Sequence, residues 1–426
     1  MPAIVTSKFR LHNSEQFVEA FSEAAATNMY LFIGRVTPWA DDVNPPTPVD
    51  DVNQTEFDHW RDMISAKRVQ AGDVSAVVPR YDWTSGTVYT QYDHEDANLF
   101  NEQFYVLTED FNVYKCLWNN EGGQSTVKPS GTATSPFTTG DNYKWQFMYT
   151  ISAAETLKFV TPEWHPVKVD ATVSAAATDG AIDVIEVSAG GSGYNAPTVV
   201  ITGDGTGATA TATVTGGVVD GIAIQNRGSG YSYAVVTIND ATGTGATARS
   251  IINPKGGHGT DTVHELGGFY VMLNSRLEYG EGGDFPTNND YRKIGLLRDP
   301  VDAGTTLTAT GTTYLQATKV EVTSASVSGT FVEDEVVTGG TSGAEGRVVN
   351  WDSTNNVLTL IRVEGDFADG ETVTGGTSSA SADIAVSGVT DPEMSSYSGD
   401  VIYVENRRPI TRAADQIEDI KLIVEF

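Results

Sequence analysis

The segment "GSGYNAPTVVITGDGTGATATA" begins at Gly191, and a looser copy, "GSGYSYAVVTINDATGTGATA", begins at Gly228. The two GSGY tetrads lie 37 residues apart and the two GTGATA hexads 38 apart. Repetition at this period constrains the fold strongly, because a unit of ~40 residues cannot bury its own apolar face and must share a core with its neighbour. Short alternating runs such as "AIDVIEV", "TVVITG" and "TATATV", separated by glycine turns, predict strands. Residues 171–253 therefore read as a tandem all-β repeat. A second pair follows in residues 302–390, where "EVVTGGTS" at Glu335 returns as "ETVTGGTS" at Glu371, an offset of 36.

Glycine-rich loops also cradle ligands. A phosphate loop opens a helix and carries a lysine after its glycines. "GDGTGATATATV" runs instead into alternating Thr and Ala, so Gly203, Gly205 and Gly207 read as turn and close-approach positions. Calcium β-rolls place a carboxylate after the glycines, whereas here Asn195 stands in the first copy and no acid in the second. The tyrosines Tyr194, Tyr231 and Tyr233 have two readings, stacking on sugar rings or covering the repeat core.

The flanking sequence has another texture. Six of the seven tryptophans fall within the first 170 residues. "AIVTSKF" reads as a strand, and "NSEQFVEAFSEAAATN" as a helix with Asn13 and Gln16 at capping-box spacing. "MYLFIGRV" reads as a strand, "TPWADDVNPPTPVDD" as an irregular acidic loop, and "FDHWRDMISAKRV" as a second helix. "SAVVPRYDW", "NEQFYVLTEDFNVYKCLW" and "NYKWQFMYTIS" read as strands. The predicted class is α+β and β-rich. A mixed body of residues 1–170, 254–301 and 391–426 carries two inserted all-β repeat modules, 171–253 and 302–390.

At 426 residues the chain exceeds one ordinary domain. Its 56 acidic against 26 basic residues argue against binding nucleic acid or an anionic membrane. The lone Cys116 excludes an internal disulfide, and the first residues lack the pattern of a secretory signal, so a soluble protein made without export is expected. No catalytic, cofactor or metal residues are predicted. "EDE" at 333–335 and the Asp41/Asp42 and Asp50/Asp51 pairs read as solvated loop carboxylates. His258 and His264 flank Asp261 without zinc spacing, "DHED" at 93–96 reads as a polar loop, and no GxSxG elbow occurs. Cys116, between aromatic residues, reads as a small buried hydrophobe. The scarce basic clusters, "AKR" at 66–68, "YRK" at 291–293 and "ENRRPITR" at 405–412, suit subunit contacts or internal ion pairs. The apolar ending, in which Ile420, Leu422, Val424 and Phe426 alternate with other residues, calls for pairing within a sheet or against a partner. Arg407, Arg408, Arg412, Leu422, Val424 and Phe426 are accordingly the candidate interface residues.

Several blocks together resemble one family. They are "AIVTSKFR" at 3–10, "LFIGRVTPW" at 31–39, "AVVPRYDW" at 76–83, "YKCLW" from Tyr114, "GDNYKWQFMYTI" from Gly140, "YRKIGLLRDP" from Tyr291, and "SGDVIYVENRRPI" from Ser398 followed by "DQIEDIKLIVEF". The sequence is similar in these blocks to the baseplate wedge protein, gene product eight, of T-even-type contractile-tailed bacteriophages. The resemblance covers roughly residues 1–170, 265–301 and 391–426, and leaves out both repeat modules. It implies a structural, non-enzymatic late protein, assembled in the host cytoplasm into the tail baseplate. It also implies a homodimer bound to neighbouring wedge proteins, with tail-fibre or peripheral tail proteins as further partners. The reading from another class is a carbohydrate-binding adhesin or a tail-associated glycan hydrolase acting through the β repeats.

Overall fold

The computed structural model describes residues 4–23, 27–50, 54–279 and 281–426. The chain gathers into two compact units, one of Met1–Phe17, Ser75–Met272 and Ile423–Phe426, the other of Val18–Val74 and Leu273–Leu422. Strands far outnumber helices, in keeping with an α+β, β-rich class.

In the first unit the strands Tyr105–Leu107, Asn112–Trp118, Lys144–Thr150 and Phe137–Thr138 form a sheet in that order. Its central strands are buried along most of their length, which explains runs such as "VYKCL" that do not alternate. One face packs Tyr89, Tyr114, Tyr143, Trp145 and Phe147 around Cys116, which has no exposed surface. Burial pushes the Cys116 thiol well above its ordinary range, so it is a packed hydrophobe without nucleophilic character.

The N-terminal helix, Ser7–Glu19, corrects the expectation of a strand through "SKF". Thr6 caps it, its hydroxyl accepting from the Phe9 amide at 3.3 Å, so Asn13 and Gln16 lie in the helix interior and are not its capping box. "FDHWRDMISAKRV" is likewise only half helix: Gln54–Asp62 is helical and Met63–Arg68 is a strand. Long-range pairing overrides local propensity there, since Met63–Arg68 is hydrogen-bonded to Met29–Gly34 on one side and Thr313–Leu315 on the other.

The GSGY repeat follows its internal symmetry closely. Thr206–Thr215 pairs with Val218–Ser229, and one repeat later Thr244–Ile252 pairs with Ile182–Ser192. Thr206 faces Ser229 as Thr244 faces Ser192, and a register shift falls at Thr209/Ala210 as at Thr247/Ala248. Thr198–Gly203 pairs with its own counterpart, Ala234–Asn239. The glycines exist for the tyrosines. A Cβ on Gly205 would overlap the Tyr231 ring and one on Gly243 the Tyr194 ring, so the GTG of each copy accepts the GSGY tyrosine of the other. Each tyrosine hydroxyl then accepts a backbone amide from that same segment, Tyr231 from Ala208 at 3.3 Å and Tyr194 from Ala246 at 3.0 Å.

The second unit contains a five-stranded sheet in the order Thr313–Leu315, Met63–Arg68, Met29–Gly34, Asn289–Arg298, Asp400–Arg412. Met29–Gly34 is buried at every residue, and Tyr30 and Phe32 pack with Trp60, Met63 and Leu297. Residues 318–390 of this unit form a closed barrel, running Thr318–Val322, Val357–Glu364, Glu345–Asp352, Val336–Gly339, Thr372–Gly375, Ser381–Thr390. Closure removes the exposed edges of so short a sheet. Val320, Val337, Val348, Leu358, Leu360 and Val373 fill its interior.

The two VTGGTS copies meet where Val337 faces Gly375 and Gly339 faces Val373. Each copy supplies a glutamate that caps the turn of the other. The Glu335 carboxylate accepts from the amides of Thr377 (3.0 Å) and Ser378 (2.9 Å) and the Ser378 hydroxyl (2.8 Å). Glu371 accepts from Thr341 (2.9 Å), Ser342 (2.8 Å) and the Ser342 hydroxyl (2.7 Å). Glu335 of the "EDE" run is thus a structural cap, 4% exposed, and not a solvated loop carboxylate.

Candidate functional site

The most unusual chemistry lies in the first unit. Lys115, on the buried strand Asn112–Trp118, places its ammonium 2.6 Å from Glu265 Oε1, 3.1 Å from His258 Nδ1 and 3.5 Å from the Tyr92 ring centroid. Glu265 is carried by the short helix Thr262–Leu266, capped by Asp261 and ended by Gly267 at φ 77°. Its second oxygen accepts the Gly259 amide at 2.7 Å. Burial lowers Lys115 to about 8 against the pull of Glu265. Burial works to raise Glu265, but the ammonium overcomes it and holds the carboxyl at about 2. His258 is pushed down by burial and then by Lys115, which keeps the imidazole neutral at pH 7. Such a trio has the groups of acid–base chemistry, yet the Lys115 and Glu265 side chains are 0% and 2% exposed. They form a buried, hydrogen-bonded ion pair.

A second network sits in the other unit. The Arg35 side chain, 2% exposed, pairs with Asp290, with Glu333 at 2.8 Å and with Asp334 at 2.9 Å. Arg292 joins at Asp290, 2.9 Å away, while Lys293 meets Asp62 at 2.6 Å. The cations of "YRK" and the first two acids of "EDE" are therefore internal ion pairs. Glu333, its side chain 45% exposed, is the solvated carboxylate it reads as, while Asp334 is drawn in by Arg35, nearly 300 residues away in sequence, which no local pattern shows. In "DHED", Asp93 pairs with Arg249 at 2.6 Å. Asp41 and Asp42 organise their own loop, accepting from Val43 (2.9 Å) and Trp39 (3.1 Å). Asp51 lies outside the described residues.

His264 is a more exposed case. Its Nε2 is 3.0 Å from Glu15 and its Nδ1 3.9 Å from Asp261. Among the described residues these three bring ligand-type atoms within 4.8 Å of one another. The imidazole turns a different nitrogen to each acid, which is the geometry of ion pairing and not of one shared cation.

The six candidate interface residues divide by burial. Arg412 has no exposed surface, lies 3.3 Å from Glu418 and donates to the Glu278 carbonyl at 3.0 Å. Leu422 is 2% exposed, inside the strand Glu418–Glu425, which lies at a sheet edge beside Tyr270–Leu277. Val424 is partly buried, as is Phe426, whose ring centroid is 5.2 Å from that of Phe17. Arg407 pairs with Glu405 at 2.9 Å, and its carbonyl accepts the Trp39 indole N–H at 2.9 Å. Arg408 is exposed, its Nε donating to the Val43 carbonyl at 2.7 Å. Both arginines belong to Asp400–Arg412, an edge strand whose middle is flanked by the proline-rich loop, since Asn406 also donates to the Pro46 carbonyl at 2.9 Å. In the GSGY repeat, Tyr194 and Tyr231 are 5% and 6% exposed and serve the core, whereas Tyr233 is 60% exposed.

Comparison with known proteins agrees with the sequence blocks. Residues 3–118 match the family model described as Phage-Gp8: Bacteriophage T4, Gp8. The chain is also similar to the baseplate wedge protein gp8 of Enterobacteria phage T4, 26% identical over 199 residues. That alignment takes in 38% of this chain and 59% of the relative, so the chain spans less than two thirds of the relative's length. Both matches point to the family that the sequence resembles.

Proposed function

We propose that this chain is a structural, non-enzymatic wedge subunit of a contractile phage tail baseplate, assembled in the host cytoplasm. In this reading it acts as a homodimer that holds neighbouring wedge proteins. The observation that carries the reading is the similarity to a baseplate wedge protein. Lys115, Glu265 and His258 form a buried ion-paired cluster. Arg412 and Leu422 are engaged inside the chain, whereas Arg407 is partly and Arg408 largely exposed, which supports assigning these two arginines to the contact with an acidic partner surface.

Light scattering on the purified chain at micromolar concentration is expected to give the mass of a dimer. The double substitution Arg407→Glu and Arg408→Glu is expected to weaken the dimer at least tenfold while leaving the circular dichroism spectrum unchanged. A stable monomer for the unaltered chain would refute the homodimer, and an undisturbed dimer in the variant would remove these arginines from its interface.

A further inference from the structure

The strand Asp400–Arg412 is the outer member of its sheet, and its far side is covered unevenly. Residues 406–408 are held by the proline-rich loop. The segment Val401–Val404, "VIYV", has no such cover. The Asp299 amide donates to the Asn28 carbonyl at 2.8 Å, so by alternation Leu297 and Gly295 also turn their backbone groups towards Met29–Gly34. Val401 and Val404 face Leu297 and Gly295, and therefore direct their own amides and carbonyls outward, past the edge of the sheet. A register shift between Leu296 and Leu297 explains why the two outward residues are three apart. No described residue bonds to either backbone. The segment also carries neither charge nor proline, the residues that usually keep an edge strand from pairing.

A cleft of about 400 Å³ runs along this segment, walled by Thr47, Pro48, Val49 and Asp50 and by Glu56 and His59 of the helix Gln54–Asp62. Val49 is 64% and Ile402 42% exposed, which leaves apolar surface open beside the edge. Asp50 and Glu56 supply two carboxylates, and among the described residues no lysine or arginine lines the cleft. The Lys293 ammonium, 3.1 Å from His59, is matched by Asp62 at 2.6 Å. We propose that this edge takes up an extended segment of a partner protein, which adds a strand beside Val401–Val404 and sets alternating apolar and basic side chains against Val49, Ile402, Asp50 and Glu56. Backbone bonds supply the affinity, and the two acids select the partner. The same edge of a second copy would set acids against acids, which opposes self-pairing there. This docking site rests on the geometry of the edge and is independent of the wedge role, so either can fail alone.

The test uses the full chain and a fluorescently labelled, acetylated peptide that alternates lysine and valine, followed by anisotropy at near-physiological salt. Binding is expected, at least tenfold weaker when glutamate replaces lysine, and lost when the peptide backbone is N-methylated. Val404→Pro removes an outward amide that the chain's own sheet does not use, and should cost at least tenfold in affinity with the circular dichroism spectrum kept. The double variant Asp50→Lys, Glu56→Lys should reverse the preference towards the glutamate peptide, and it remains informative if proline disturbs the strand. No binding, binding that survives N-methylation, undiminished affinity in a folded Val404→Pro chain, or an unreversed preference in the charge variant would overturn the proposal. Loss of self-association in Val404→Pro, with no peptide bound by the unaltered chain, would give the edge to a second copy and overturn it equally.

Discussion

Replacing Lys115 with methionine is expected to lower the unfolding free energy by about 3–5 kcal/mol, because it strands the Glu265 carboxylate in the interior. The carboxylate keeps the Gly259 amide but loses the cation that holds it ionised. It must then take up a proton or draw in water. The double variant Lys115→Met, Glu265→Leu is expected to recover most of the loss, since replacing both members of a buried pair by apolar groups is often neutral. Urea unfolding followed by circular dichroism measures both. A loss below about 1 kcal/mol in the single variant would show that the pair is far better hydrated than its geometry implies.

Glu371→Ala is expected to cost about 3 kcal/mol or more, since it leaves the amides of Thr341, Ser342 and Ala368 and the Ser342 hydroxyl without their acceptor. Glu335→Ala should cost a similar amount by the symmetry of the two copies. The same contacts give the barrel an acid limit. Burial acts to raise the Glu371 pKa, but the donated amides and hydroxyl prevail and hold it at about 2, below the ordinary 4.5. Glu335 is lowered for the same reasons. A carboxyl whose folded pKa is depressed stabilises fully above its unfolded value and loses that contribution as pH falls through the folded one. Barrel stability should therefore hold down to about pH 4.5 and decline towards pH 2. Trp351 is the one tryptophan of residues 318–390, so a variant keeping it alone would report the barrel's transition by fluorescence. A barrel no weaker at pH 2.5 than at pH 6 would exclude the carboxylate caps as its fastening.

Strands were legible where a local pattern was also the long-range one. "NYKWQFMYTIS" reads as a strand and is one, Lys144–Thr150, with its centre buried. The repeats announced turns and strands through glycine and alternation, but not their partners. That Tyr231 belongs to Gly205, and Glu371 to Ser342, depends on how the two copies are set against one another, and no local pattern carries that. The helix Ala153–Phe159 had a signal that went unused, the capping box of Ser152 and Glu155. The Lys115 cluster had none, since its members lie 143 and 150 residues apart and Lys115 sits in a strand that reads as ordinary core. The family blocks, in contrast, were readable as sequence, and the match over residues 3–118 covers four of them.

The most direct test of the wedge assignment is a cryo-electron microscopy reconstruction of the baseplate of intact virions, with this chain traced by its two repeat modules. The chain is expected in symmetry-related pairs within the wedges around the central hub. Finding it in the capsid or neck, or as isolated single copies at the fibre tips, would contradict it.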